Sequence, residues 1–174
     1  MAKDLKKVAI LVEDLYQVLE VWYPLLRLRE EGIEVVTIGT GTKDTYGSKE
    51  GYPIKVDISI DKANVNEFDG VIIPGGYAPD ILRRYEKIVN FIKRLYVDGR
   101  VVASICHGGW LLVSAGVLKG HTATSFFAIK DDLIAAGAKY VDREVVVDGN
   151  LITSRKPEDL PRFMEEIIKL LKKD

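Results

Sequence analysis

The segment VVASICHGGW, residues 101–110, holds the chain's single cysteine and one of its two histidines, adjacent to each other and followed by two glycines. Thiol and imidazole are side chains suited to nucleophilic chemistry near neutral pH. An apolar run leads into Cys106, and Ser104 and Gly108 stand two residues before and two after it. That is the spacing of a nucleophile elbow, a strand-to-helix turn that needs small residues at both places because the backbone doubles back. At the start of a helix, unpaired N–H groups and the helix dipole stabilise a thiolate and lower its pKa below the free value of ~8.5. The N–H of His107, with the amides of Gly75 and Gly76 in IIPGG, then forms a candidate oxyanion hole. A lone cysteine after an apolar strand is more often a small core residue. The adjacent His-Gly-Gly in a strand-turn-helix context favours the reactive thiol.

Hydrophobic pattern gives the elements that must position this pair. KVAILV (7–12) is a continuous aliphatic run, as expected of a strand covered on both faces. Leu15, Val18, Leu19, Trp22, Leu25 and Leu26 recur at helical spacing. Gly32 closes that helix, and a second strand opens near Glu34. Residues 41–60 are turn-rich and then alternate, which predicts a β-hairpin excursion. FDGVIIPGG is a further buried strand, after which Ile81, Tyr85, Ile88, Ile92 and Leu95 mark one long helix ending near Gly99. VVASI is the next strand, with a short helix from Gly108 to Gly116. FAIKDDLIAAG is helical, and AKYVD and EVVVDGNLITS are strands with a turn at Asp148-Gly149. A last helix after Pro157 carries Leu160, Phe163, Met164, Ile167 and Leu171 on one face. This alternation predicts one α/β domain over residues 1–174, a mainly parallel sheet with helices on both faces. Chemistry then belongs outside the carboxyl ends of the strands, where IIPGG and ASICHGG end.

The totals narrow the classes. The chain has 174 residues, 25 Lys+Arg against 26 Asp+Glu, and a net charge of −1, so no basic field awaits nucleic acid or acidic membranes. No apolar run approaches the ~18 residues of a membrane span. The start, MAKDLKK, lacks the apolar core of a signal peptide, which makes the cytoplasm the default location. One cysteine cannot close an internal disulfide, and two histidines and one cysteine do not supply a zinc cluster. No metal or cofactor is expected.

The blocks ASICHG and LLVSAGVLKGHTATS, with IIPGG upstream and VVVDGNLITSRKPEDLP downstream, resemble the PfpI family of intracellular cysteine proteases and amidases. That family lies within the DJ-one superfamily, related in fold to the class I glutamine amidotransferases. The resemblance covers nearly the whole chain and implies a flavodoxin-like three-layer sandwich forming homo-oligomers, dimers and often hexamers. It implies Cys106 as nucleophile and His107 as its imidazole partner. It also places the family's glutamate near the sulphur at Glu20, four residues before Pro24. The residues themselves allow this, because Glu20 has Tyr16 and Tyr23 a turn away on either side. Pro24 cannot donate to the Glu20 carbonyl, and burial would raise the carboxyl pKa enough to hold or move a proton. The alternative is a solvated glutamate near the helix N-terminus.

In hexameric relatives an acidic residue after PGG orients the histidine from the neighbouring subunit. PGGYAPD makes that Asp80, which also suits a helix cap ahead of ILRRY. Two positions depart from the family. Relatives often read CHGPQ where this chain has Gly109-Trp110, which puts an indole at the pocket mouth, and Tyr or His where it has Phe126. His121 reads as an exposed loop or strand-edge residue, Lys49 as a solvated lysine, and GTGTKDTYG as a hairpin rather than a phosphate loop.

Three activities fit these parts. The leading one is peptide or amide hydrolysis, with His107 activating Cys106 and water releasing an acyl-enzyme. The second is glyoxalase III-type or deglycase chemistry on reactive carbonyls, in which the sulphur forms a hemithioacetal and Glu20 or His107 moves the proton. The third is a redox-sensing or stress-chaperone role resting on oxidation of the thiol. The substrate expected is a peptide or a small carbonyl compound, with neither nucleic acid nor membrane as partner.

Overall fold

The computed structural model describes residues 5–173. Along the chain run β1 (Lys7–Leu11), α1 (Val18–Glu30), β2 (Glu34–Gly39), β3 (Thr45–Gly47), β4 (Pro53–Lys55) and β5 (Ile58–Ser59). Then follow β6 (Gly70–Ile73), α2 (Ala78–Leu82), α3 (Glu86–Val97), β7 (Val101–Ile105) and α4 (Gly109–Ala115). The chain continues through β8 (Thr122–Ala123), α5 (Lys130–Ala135), β9 (Lys139–Tyr140), β10 (Val145–Asp148), β11 (Leu151–Ser154) and α6 (Leu160–Leu171).

Seven strands form one sheet in the order β10-β11-β7-β6-β1-β2-β5. Every pairing is parallel except β10 with β11, which turn back on each other through Gly149 at φ 63°. The central strands are mostly apolar and buried along their length, as two covered faces require. Helix α6 shows how a cover is held. Leu160, Phe163, Met164, Ile167 and Leu171 are each 3% exposed or less, and each is worth roughly 1.5–3 kcal/mol of apolar burial. Strand order reverses at β1 and β6, since β2 lies outside one and β7 outside the other. Such a reversal opens a crevice at the carboxyl ends. The Pro74-Gly75-Gly76 turn leaves β6 there, and Cys106 follows β7 next door.

Four expectations change. Helix α1 starts at Val18, and Leu15 precedes it, exposed, at φ 65°. The helix buries Glu20, Val21, Pro24, Leu25 and Leu28, while Leu19 and Leu26 are 51% and 54% exposed. The apolar residues of this segment lie on two faces, so spacing alone could not say which turns inward. The single helix expected over 81–95 is two, because Tyr85 is extended (φ −103°, ψ 107°) and the chain turns at Arg83–Tyr85 before α3. The hairpin β3–β4 stands apart from the main sheet as expected, but β5 then joins that sheet as its edge beside β2. AKYVD contributes β9, which pairs with β8 in a separate two-stranded ribbon.

Candidate active site

Cys106 is held at φ 59°, a conformation a non-glycine residue adopts only when its surroundings impose it. The imposing contact is close. A Cβ on Gly108 would stand 2.5 Å from the Ile73 carbonyl oxygen and 2.9 Å from Ser104 Oγ, so the elbow requires the small residues that the motif offered. Residues 106–108 form a tight 3-10 turn, and α4 begins only at Gly109.

Glu20 reaches the same point from α1. It is 0% exposed, and its Oε2 accepts the Gly75 N–H at 2.6 Å. Its other oxygen, Oε1, is buried with no hydrogen-bond partner among the described residues. A Cβ on Gly75 would meet Glu20 Oε2 at 2.6 Å, Cys106 Cβ at 2.7 Å and Sγ at 3.0 Å, so carboxyl and thiol converge over the bare face of this glycine. The Gly75 amide, expected in the oxyanion hole, is therefore spent on Glu20. The N–H groups of Gly76 and His107 are the two directed at the sulphur. The segment before α1 fixes that loop: Leu15 O accepts from Tyr77 N at 2.8 Å, and Gln17 N donates to Gly75 O at 3.2 Å.

The electrostatics differ from the sequence expectation. Burial lifts the Glu20 carboxyl to about 7, against the opposing pull of the Gly75 amide and the thiol. Burial, then the neighbouring Glu20 charge, pushes the Cys106 thiol up to about 12, which outweighs the His107 and Gly76 amides. The expected lowering by a helix terminus fails because Cys106 is only 8% exposed and its sulphur faces a carboxylate. Cys106 and Glu20 titrate as a pair, in which a proton on the carboxyl removes the charge that opposes a thiolate.

His107 Nδ1 lies 3.3 Å from Sγ. Its ring is stacked on Phe126 at 5.0 Å and 29°, and meets Trp110 edge-on at 5.2 Å and 68°. Burial, then the Lys49 charge, lowers its pKa, so the imidazole is neutral at pH 7. Phe126 offers no polar group, as its side chain dictates, and serves instead as a wall for the ring. The hollow over Cys106 measures about 480 Å³ and is lined by Gln17, Glu20, Lys49, Gly76, Tyr77, His107, Trp110, Phe126 and Pro157.

Of the residues proposed from sequence, Cys106, His107, Glu20, Gly75, Gly76, Trp110 and Phe126 come together. Asp80 does not line the hollow; its carboxylate pairs with Arg84 one turn along. Lys49 stands at the rim rather than simply in solvent, and its charge acts on both Glu20 and His107. Gln17, Tyr77 and Pro157 were not anticipated. The signal for Tyr77 was its place directly after the PGG turn. His121, expected to be exposed, has a side chain only 20% accessible, with Nε2 2.6 Å from the Tyr96 hydroxyl. Among the described residues no group of three or more His, Cys, Asp or Glu could hold a metal, and no helix is long and apolar enough to cross a membrane.

A flavodoxin-like sheet with a strained elbow cysteine at its carboxyl edge, backed by a buried glutamate, is a recognisable class. The chain belongs to the DJ-1/PfpI family, whose pattern matches residues 6–170. It is 48% identical over 166 residues to deglycase PH1704 of Pyrococcus horikoshii, covering 95% of this chain and 99% of that one. It is 39% identical over 167 residues, 96% and 99% of the two chains, to YraA of Bacillus subtilis, whose name includes cysteine protease. A two-domain protein from Anabaena variabilis, with DJ-1/ThiJ/PfpI-like and ferritin-like domains, superposes with a TM-score of 0.93 at 42% identity. That match covers 95% of this chain and 48% of the larger one. Family and site together support an enzyme.

Proposed function

We propose that this chain is a cysteine-dependent deglycase, acting on α-oxoaldehydes such as methylglyoxal and on their adducts with amines. The observation that carries this reading is the contact between the Cys106 thiol and a buried carboxyl titrating at about 7. A group with that pKa is suited to taking and returning protons at neutral pH. Relatives at 46–48% identity bear the name deglycase, which supports the same reading over peptide hydrolysis.

The steps follow from the geometry. Ionised Glu20 takes the thiol proton as Sγ attacks the aldehyde carbon, and the new oxyanion faces the N–H groups of Gly76 and His107. Protonation of that oxygen by Glu20 gives the hemithioacetal. Where the carbon already carries an amine, the C–N bond breaks as C–S forms, and the amine leaves with a proton. Glu20 then removes the proton from the sulphur-bearing carbon and returns one to the neighbouring carbon, converting the hemithioacetal to a 2-hydroxy thioester. Water hydrolyses the thioester to a 2-hydroxy acid and restores the thiol. The sum is methylglyoxal plus water to lactate, with no oxidant or reductant. His107, neutral and fixed, positions Sγ and assists the hydrolytic water. Parallel assays with methylglyoxal, a methylglyoxal-treated amino acid and fluorogenic peptides test this. Lactate release that Cys106→Ala abolishes supports the reading, whereas Cys106-dependent peptide cleavage without lactate release overturns it in favour of a peptidase.

We also propose that copies self-associate. Leu19, Tyr23 and Leu26 form an exposed apolar row on α1, with Tyr52 and Tyr77 exposed as well. Asp80, turned away from its own hollow, would serve only another copy's. Sedimentation of wild type and of Leu19→Glu/Leu26→Glu tests this: dimers or larger in the first and monomer in the second support it, and a monomeric wild type refutes it.

A further inference from the structure

Among the described residues the His107 ring has a single hydrogen-bonding contact, the sulphur it is meant to orient. Within one copy, packing must fix its ring. Phe126 stacks on the ring, and the Trp110 indole meets it edge-on. Trp110 is in turn tethered from outside the hollow. Its Nε1 donates to Asp132 Oδ2 at 2.7 Å, across from α4 to the first turn of α5. The Arg83 guanidinium lies over the indole at 5.7 Å and is itself held by Nε donating to Ser114 Oγ at 2.9 Å. The approach of α5 to this point is tight, since a Cβ on Gly109 would meet Ile129 and Leu133 at 3.2 Å. Indole, carboxylate and guanidinium thus form a brace behind the imidazole.

We infer that Asp132 is a positioning residue of the catalytic site, acting through the Trp110 indole to hold the His107 ring against Phe126. It touches neither sulphur nor substrate. Without the tether the indole swings and the imidazole gains a second rotamer that turns Nδ1 away from Sγ. The role rests on the proposed function only in assigning His107 to the chemistry; the brace itself is a matter of geometry. Besides Cys106, the charged groups facing the ring or its brace are Glu20 on α1, Lys49 after the hairpin strand β3, Arg83 beyond α2 and Asp132 on α5.

The test compares four variants with wild type. Asp132→Leu removes the acceptor, Trp110→Phe removes the donor, Asp132→Asn keeps an acceptor, and Asp131→Leu removes the neighbouring first-turn acid alone. Asp132 is exposed, so these changes leave folding intact, which thermal unfolding verifies. The expected result is a roughly tenfold fall in kcat for lactate formation in Asp132→Leu and in Trp110→Phe, with KM changed less than twofold. The double variant is no worse than either single one, as two ends of one tether require. Proton NMR of the His107 ring shows its titration moving up towards the ordinary histidine value in both, because a freed ring gains water. Asp132→Asn and Asp131→Leu behave as wild type. Unchanged His107 resonances in Asp132→Leu, or strictly additive losses, overturn the inference. Should wild type prove inactive on methylglyoxal, the proposed activity fails while the NMR comparison still decides the brace.

Discussion

The two ends of the central sheet are built on opposite rules. Each carries a cleft of about 480 Å³, so volume does not distinguish them. At the amino end, Asp69 accepts the Lys7 N–H at 2.8 Å and faces Lys6 at 3.5 Å and Arg100 at 3.3 Å. Charges there are partly exposed and matched. At the carboxyl end a cysteine sits at positive φ, a carboxyl is sealed with one oxygen unpartnered among the described residues, and an imidazole is packed against two aromatic rings. The strained backbone and the unpartnered oxygen each cost roughly 1–3 kcal/mol, and the apolar packing of the helices over the sheet offsets them. The amino end is arranged for stability. The carboxyl end holds Glu20 protonated at a pH where water would leave it ionised.

Variants at the two ends should separate accordingly. The largest effect is expected from Cys106→Ala, which lowers lactate formation at least about a thousandfold while leaving the unfolding midpoint nearly unchanged. Appreciable activity in that variant would erase the functional contrast. Glu20→Gln comes next, with a loss of roughly 10²–10⁴ in kcat.

The same substitution should raise stability above neutral pH. The folded pKa of Glu20, about 7, exceeds its unfolded value, so the native protein binds that proton more tightly. The resulting stabilisation is complete below the unfolded carboxyl range and is lost as pH rises through about 7. At pH 8.5 wild type carries a buried carboxylate, and the glutamine variant is more stable by up to about 3 kcal/mol, while by about pH 4 the two converge. Denaturant midpoints at the two pH values measure this, and equal midpoints at pH 8.5 would argue against a strained carboxylate.

Gly75→Ala forces a methyl between carboxyl and sulphur and should cost about 1–3 kcal/mol together with most of the activity. The smallest effect belongs to the amino end. Asp69→Asn should change stability by about 1 kcal/mol or less and leave kcat unaltered, and a fall in kcat there would blur the comparison.

Much of this contrast was legible in the residues. Continuous aliphatic runs fixed the buried strands, and Ser104, Cys106 and Gly108 at elbow spacing located the bend that φ 59° makes real. Glu20 became a candidate through its place before Pro24, which resemblance supplied and burial then explained. Other features depended on the fold. Helix α1 carries apolar residues on both sides, and only the sheet decides that Leu19 and Leu26 face out. Tyr85 fits a helical period, yet the chain must turn there to lay α3 along the sheet. The thiol's pKa was misjudged because sequence shows the amides at an elbow but not the depth of the sulphur or the charge beside it. Asp132 lies 22 positions from Trp110, and nothing local joins them.

The central claim is that Glu20 governs the proton of Cys106. Its most direct test is the rate of Cys106 alkylation by iodoacetamide between pH 5 and 9, in wild type and in Glu20→Gln. The account predicts a step centred near pH 7 in wild type that disappears in the variant. A single titration at the ordinary thiol value in both proteins would contradict it.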